Sequence, residues 1–171
     1  MKVFGIAGRS GMGKTSLIIR LIPWFRAQGI TISTVKQAHE AFDVDKKGKD
    51  SYEHREAGAS EVMIASARRW ALMHEYRDEP EYSMDQLLAR MSAVDLVLVE
   101  GFRQWPHPRL EVWRDEVGKP PLWPEDDRML ALVSDYPAPA CPLPQLNVDD
   151  TEAIGRLIAE RVGLVVERVG L

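Results

Sequence analysis

The sequence predicts an α/β protein: a mostly parallel sheet with helices on both faces and some antiparallel strands. Three observations predict it. Short β-rich apolar runs of four to six residues recur along the chain. Stretches with helical apolar spacing lie between them. Several of the short runs are apolar at consecutive positions, as in strands covered on both sides.

The first run is Val3–Ala7. A helix is expected over Thr15–Gln28, with Leu17, Ile18, Leu21, Ile22 and Phe25 on one face and Gly29 as C-cap. Pro23 removes one backbone bond inside it, so a kink is expected there. Ile30–Val35 is the next strand, and a short helix follows over Ser51–Gly58 with Ser51 as N-cap. Val62–Ala65 and Trp70–Met73 are strands, with Arg68-Arg69 solvated in a hairpin turn between them. Ser83–Met91 is a second short helix with Ser83 as N-cap. Strands Leu96–Val99, Leu110–Trp113 and Met129–Val133 complete the set. The proline-rich stretches around Leu110–Trp113 and over Pro137–Pro144 read as loop and extended connector. A last helix spans Asp149–Val162, opened by Asp149-x-x-Glu152, an approximate capping box, with Ile154, Leu157, Ile158 and Val162 on one stripe.

Length and composition narrow the class. The 171 residues amount to one domain, and nothing marks a second, so residues 1–171 are expected to form a single nucleotide-binding domain. A 45% apolar and 28% charged composition is that of a globular protein. The net charge of -4 argues against nucleic acid as a partner, because phosphate backbones need a basic surface. The single cysteine, Cys141, builds neither an internal disulfide nor a zinc site. No apolar run approaches the ~20 residues of a membrane span. The expectation is a soluble, cytoplasmic protein with no membrane contact.

Gly8-Arg9-Ser10-Gly11-Met12-Gly13-Lys14-Thr15 matches G-x-x-x-x-G-K-[ST] in full, between a strand and a helix. Its glycines let backbone N–H groups turn inward around a phosphate, and the helix N-terminus adds positive charge at the same place. Lys14 would neutralise β/γ-phosphates and the Thr15 hydroxyl would ligate Mg²⁺. The fold implied is the three-layer kind of phosphate-loop NTPases. Asp95-Leu-Val-Leu-Val-Glu100 offers two carboxylates for Mg²⁺. Only the C-terminal edge of a parallel strand faces the phosphates, and five residues at ~3.3 Å place Asp95 roughly 16 Å from it. Glu100 is therefore the metal candidate, against the plainer reading of a carboxylate that ends a strand. Asp95 is expected to begin the strand as a solvated residue.

Residues 36–51 concentrate Lys36, His39, Asp43, Asp45, Lys46, Lys47, Lys49 and Asp50. By composition such a stretch is a solvated loop, yet it leaves a buried strand at the edge where the phosphate loop lies. Together the phosphate loop, Lys36…His39, Asp43-Val-Asp-Lys-Lys-Gly-Lys-Asp-Ser51 followed by Ala57-Gly-Ala59, and Val99-Glu-Gly-Phe102 resemble the molybdopterin-guanine dinucleotide biosynthesis protein B family (MobB), from about residue 3 to residue 135. The resemblance implies a dimeric, slowly hydrolysing GTP-binding protein. It would assist the MobA-type guanylyltransferase of the molybdenum cofactor, which joins GMP to molybdopterin. It implies that Gly11–Ser16 (Gly11, Met12, Gly13, Lys14, Thr15, Ser16) hold phosphates, and that Asp45, Lys49, Asp50 and Glu100 line the site. Many family members read K-H-x-H-H where this chain has Lys36-Gln-Ala-His39-Glu40, so a histidine metal cluster is not carried over. His39 alone reads as a hydrogen-bonding loop residue.

A different class competes: a small-molecule kinase or ATP-dependent ligase on the same fold. The modest Arg/Lys supply near the loop, chiefly Arg9, Lys36 and Lys49, tilts against a fast transferase. The guanine-reading N-K-x-D motif is absent. Asp135, after strand Met129–Val133, either accepts from guanine N1–H and N2–H or is a turn residue before Pro137. Apolar excess in Trp70–Tyr76 and around Trp105–Trp123 points to a homodimer through one of them, against burial of those side chains in the monomer's own core.

Overall fold

The computed structural model describes residues 1–38 and 42–167. His39 lies outside the described residues. Two compact units emerge, one from Met1–Gln37 with Ser92–Leu171, the other from Ala38–Met91.

The first unit is built on a six-stranded sheet. Its strands are β1 (Lys2–Ala7), β2 (Ile32–Lys36), β5 (Leu96–Glu100), β6 (Arg109–Val112), β7 (Met129–Ser134) and β8 (Gln145–Asn147). The order is β2-β5-β1-β6-β7-β8, and every pairing is parallel. The consecutive apolar residues of β5 are buried on both sides, as their run pattern requires, whereas β6 is buried on both sides although its apolar Leu110 and Val112 alternate with Arg109 and Glu111. β8 escapes a sequence reading because it is three residues with one apolar side chain behind a proline-rich connector.

Two helices cover one face. α1 (Lys14–Ala27) buries Leu17, Ile18, Leu21 and Phe25, and Gly29 just beyond it has φ +75°. Pro23 lies inside α1 as expected. α4 (Thr151–Val162) packs beside α1, and they meet at Gly155, where any Cβ would run into the Trp24 indole. Arg20 ties α1 to the start of α4 through the Val148 carbonyl (2.5 Å) and Thr151 Oγ1 (3.2 Å). The expected opener Asp149 is not the cap. Asn147 Oδ1 accepts the Asp149 N–H in a tight turn, and Asp150 accepts from Ala153 N instead. Phe4 and Ile6 of β1 point into this helical core with Leu96, Leu98, Leu110 and Val112.

Gly5 and Ala7 point the other way. Within this unit they meet coil: His107 occupies the space a side chain at Gly5 would fill, and Ala7 clusters with Leu122 and Met129. Beneath that coil sits a buried polar network in which Arg109 reaches Asp126 (3.4 Å) and the carbonyls of Arg103, Trp105 and His107.

The second unit holds α2 (Asp50–Glu56), the antiparallel pair β3 (Glu61–Ala65) and β4 (Trp70–His74), and α3 (Met84–Leu88). Ser83 caps α3 reciprocally with Gln86. Ser51 does not cap α2: the helix starts one residue earlier, with Lys49 at the N-cap position and no side-chain cap bond. Arg68 and Arg69 are exposed in the hairpin turn.

Candidate functional site

Strand register assembles the site. β1 pairs Ile6 with Glu100 of β5, and β2 pairs Lys36 with the same Glu100. The phosphate loop leaves β1 beside them. Gly8, Gly11 and Gly13 take φ of +138°, +91° and +91°, which side-chain-bearing residues adopt only under strain. A Cβ on Gly8 would also strike the Val112 carbonyl of β6. Met12 is buried at 1% exposure and anchors the loop, so only its backbone faces the site, while Ser10, Thr15 and Ser16 are exposed. The first turn of α1 has neither a side-chain cap nor an acidic residue, which leaves its N–H groups for an anion.

Lys14 Nζ donates to the Arg9 carbonyl at 3.1 Å, across the mouth of the loop. Partial burial lowers its pKa; Glu100 opposes that shift, and Lys36 and Lys119 add to it. The Thr15 hydroxyl lies 3.2 and 3.3 Å from the two Glu100 oxygens, and Lys36 Nζ lies 3.8 Å from the same carboxylate. A hard cation takes such oxygen donors together with phosphate oxygens. Thr15 and Glu100 therefore fit Mg²⁺.

Asp95 is at the far end of β5, as expected, but it is more than a solvated residue. Its carboxylate accepts from Thr31 N (2.8 Å) and Thr31 Oγ1 (2.6 Å), clamping the starts of β2 and β5, and these bonds lower its pKa. At the near end, Gly101 (φ +94°) and Phe102 (φ +51°) turn the chain sharply after Glu100. Gln37 braces that turn: its N–H donates to the Glu100 carbonyl (2.9 Å) and its side-chain oxygen accepts from Phe102 N (2.7 Å).

Sequence reasoning missed two cations. Lys119 Nζ donates to the Ser10 carbonyl at 2.9 Å. The Arg114 guanidinium lies beside Gly13, its Nε and Nη2 3.7 Å from where a Cβ would stand. Arg114 Nη1 is 3.7 Å from Asp135 and 3.5 Å from Glu116, while its buried Nε has no hydrogen-bond partner among the described residues. The only signal for Arg114 was its place two residues past a strand that ends on the phosphate edge. Half-buried Asp135 is thus paired with Arg114.

The second unit holds Asp45, Lys49 and Asp50. Asp45 is buried and engaged by Arg55 at 3.2 Å; Arg55 also reaches Asp43 (3.0 Å), lies 3.8 Å from Glu75, and stacks over Tyr52. Lys49 and Asp50 are exposed at the start of α2. No group of three or more metal-ligating side chains occurs among the described residues.

The family model described as "Molybdopterin guanine dinucleotide synthesis protein B" matches residues 3–135. The chain is 40% identical over 161 residues to the molybdopterin-guanine dinucleotide biosynthesis adapter protein of Escherichia coli, covering 92% of this chain and 91% of that one. It is 44% identical over 138 residues to the adapter protein of Haemophilus influenzae, covering 79% and 75%. Among solved structures, a molybdopterin-guanine biosynthesis protein B matches with TM-score 0.71 at 28% identity, over 94% of this chain and 99% of that one. Bacillus subtilis MobB matches in fold with TM-score 0.74 at 20% identity, over 95% and 98%.

Proposed function

We propose that this chain, which belongs to the molybdopterin guanine dinucleotide synthesis protein B (MobB) family, is a GTP-binding accessory protein of molybdenum-cofactor assembly. The observation that carries the reading is the complete phosphate loop, with the Thr15–Glu100 pair set beside it for Mg²⁺. Lys14, Arg114 and Lys119 supply the positive charge for the phosphates. The partner is a MobA-type guanylyltransferase that converts molybdopterin to its guanine dinucleotide.

Turnover is slow in this reading. The residue after Glu100-Gly101 is the buried Phe102, not a water-positioning glutamine, and the Gln37 amide oxygen is committed to Phe102 N. The hairpin supports a homodimer: Met63, Trp70 and Leu72 are exposed on one face of β3–β4, whereas Leu110 and Leu122 are buried in the monomer's own core.

The test is reconstitution. With purified guanylyltransferase, molybdopterin and GTP at limiting concentrations, the protein should raise the yield of the dinucleotide. Its own phosphate release should stay well below the ~1–100 s⁻¹ of kinases. Several turnovers per second without the partner would favour the kinase or ligase class instead.

A further inference from the structure

Beyond the C-terminal ends of β6 and β7 lies a depression of about 430 Å³. Its size falls in the range of small-molecule sites. Its position is the sheet edge at which α/β folds bind ligands. Trp113, Trp123 and the 68%-exposed Tyr136 give it aromatic walls, and Asp115 is the carboxylate on its rim.

The walls are fixed by particular bonds. The Trp113 indole N–H donates to the Lys119 carbonyl at 3.0 Å. The buried Glu111 accepts from Leu122 N (2.7 Å) and Trp123 N (2.8 Å), which sets the second indole. The Gln145 amide holds the opposite wall by bonds to Ala138 N (2.8 Å), Ala138 O (3.0 Å) and Cys141 O (3.3 Å). Pro121, Pro137 and Pro139 stiffen the rim. A preformed aromatic slot with one carboxylate suits a planar heterocycle that presents N–H donors on one edge.

The slot is also joined to the phosphate loop. Arg114, next to Trp113, donates its N–H to Met12 Sδ at 3.2 Å, and Lys119, which fixes the Trp113 indole, grips the Ser10 carbonyl. We infer that the slot between Trp113, Trp123 and Tyr136 holds a 2-amino-4-oxo-pyrimidine-fused ring, with Asp115 accepting its ring and amino N–H groups. Guanine and pterin share that ring edge, and adenine lacks the donor pair. Asp115 is exposed, so its bond favours rings that carry the donor pair. The inference deepens the proposed function: the ring belongs either to the loop-bound nucleotide or to the pterin that accepts its GMP.

Isothermal titration of the full chain with GTP, ATP, inorganic triphosphate and pterin-6-carboxylate separates the cases, using wild type, Asp115→Asn, Trp123→Ala and Lys14→Ala. If the ring is guanine, Asp115→Asn weakens GTP at least about tenfold and leaves ATP and triphosphate unchanged. If it is pterin, Asp115→Asn and Trp123→Ala weaken pterin-6-carboxylate to that extent, GTP is untouched, and Lys14→Ala still binds the pterin. Circular dichroism verifies that each variant is folded. Equal loss of GTP and ATP, changes under twofold in folded variants, or wild type binding neither ring overturns the inference. Failure of triphosphate to bind wild type overturns the phosphate-loop reading instead, and leaves the pterin arm standing.

Discussion

Glu100 and Asp95 close and open the same strand, and only Glu100 meets the phosphate loop. Glu100→Gln is therefore expected to cut the Mg²⁺ enhancement of GTP affinity about tenfold, while Asp95→Asn leaves it unchanged. Titrations with and without Mg²⁺ check this, and the reverse ranking contradicts the geometry. His107 carries a second prediction. Its ring is buried against Gly5, and neither nitrogen has a hydrogen-bond partner among the described residues; burial, then Arg109 and Arg128, lower its pKa from 6.5 to about 4. The unfolded chain takes up this proton first, so stability is lost as pH falls from 6.5 to about 4, by on the order of 2 kcal/mol. Urea melts at steps across that window should show the decline, and His107→Gln should flatten it. At this scale the phosphate loop is legible because each of its residues serves a local backbone or charge need. Lys119 is not legible, because it reaches Ser10 across 109 residues of chain. Asp95 is half legible: its distance from the site follows from strand length, but its bond to Thr31 needs the pairing of β2 with β5.

At the scale of elements, short apolar runs mark seven strands, and the most continuous of them, in β5 and β7, belong to strands buried on two faces. β8 has no such trace. The start of α4 depends on a competition between adjacent aspartates, decided by the Asn147 turn, which the capping pattern alone does not resolve. The close approach of α1 and α4 is equally hidden, since Gly155 in a helix reads as a weak point rather than a contact. Ordinarily Gly→Ala inside a helix stabilises by about 1 kcal/mol. Gly155→Ala is expected to destabilise by about 1–3 kcal/mol, because the Trp24 indole fills the space. A urea midpoint above that of wild type would show that the two helices pack more loosely.

At the scale of the molecule, the exposed apolar stripe on the hairpin predicts association. Light scattering after size exclusion should give about twice 19.3 kDa, and Trp70→Glu should return the monomer while still binding GTP. A monomer mass at all concentrations contradicts this. The central claim is that Lys14 and its loop hold the nucleotide's phosphates, and calorimetric titration of GTP with Mg²⁺ into wild type and Lys14→Ala tests it most directly. Wild type should bind, and the folded variant should lose at least about a hundredfold in affinity, because the proposed role of that ammonium is to meet the phosphates, and in the structure it donates to the Arg9 carbonyl of the loop. Equal affinity in the two proteins would contradict the assignment.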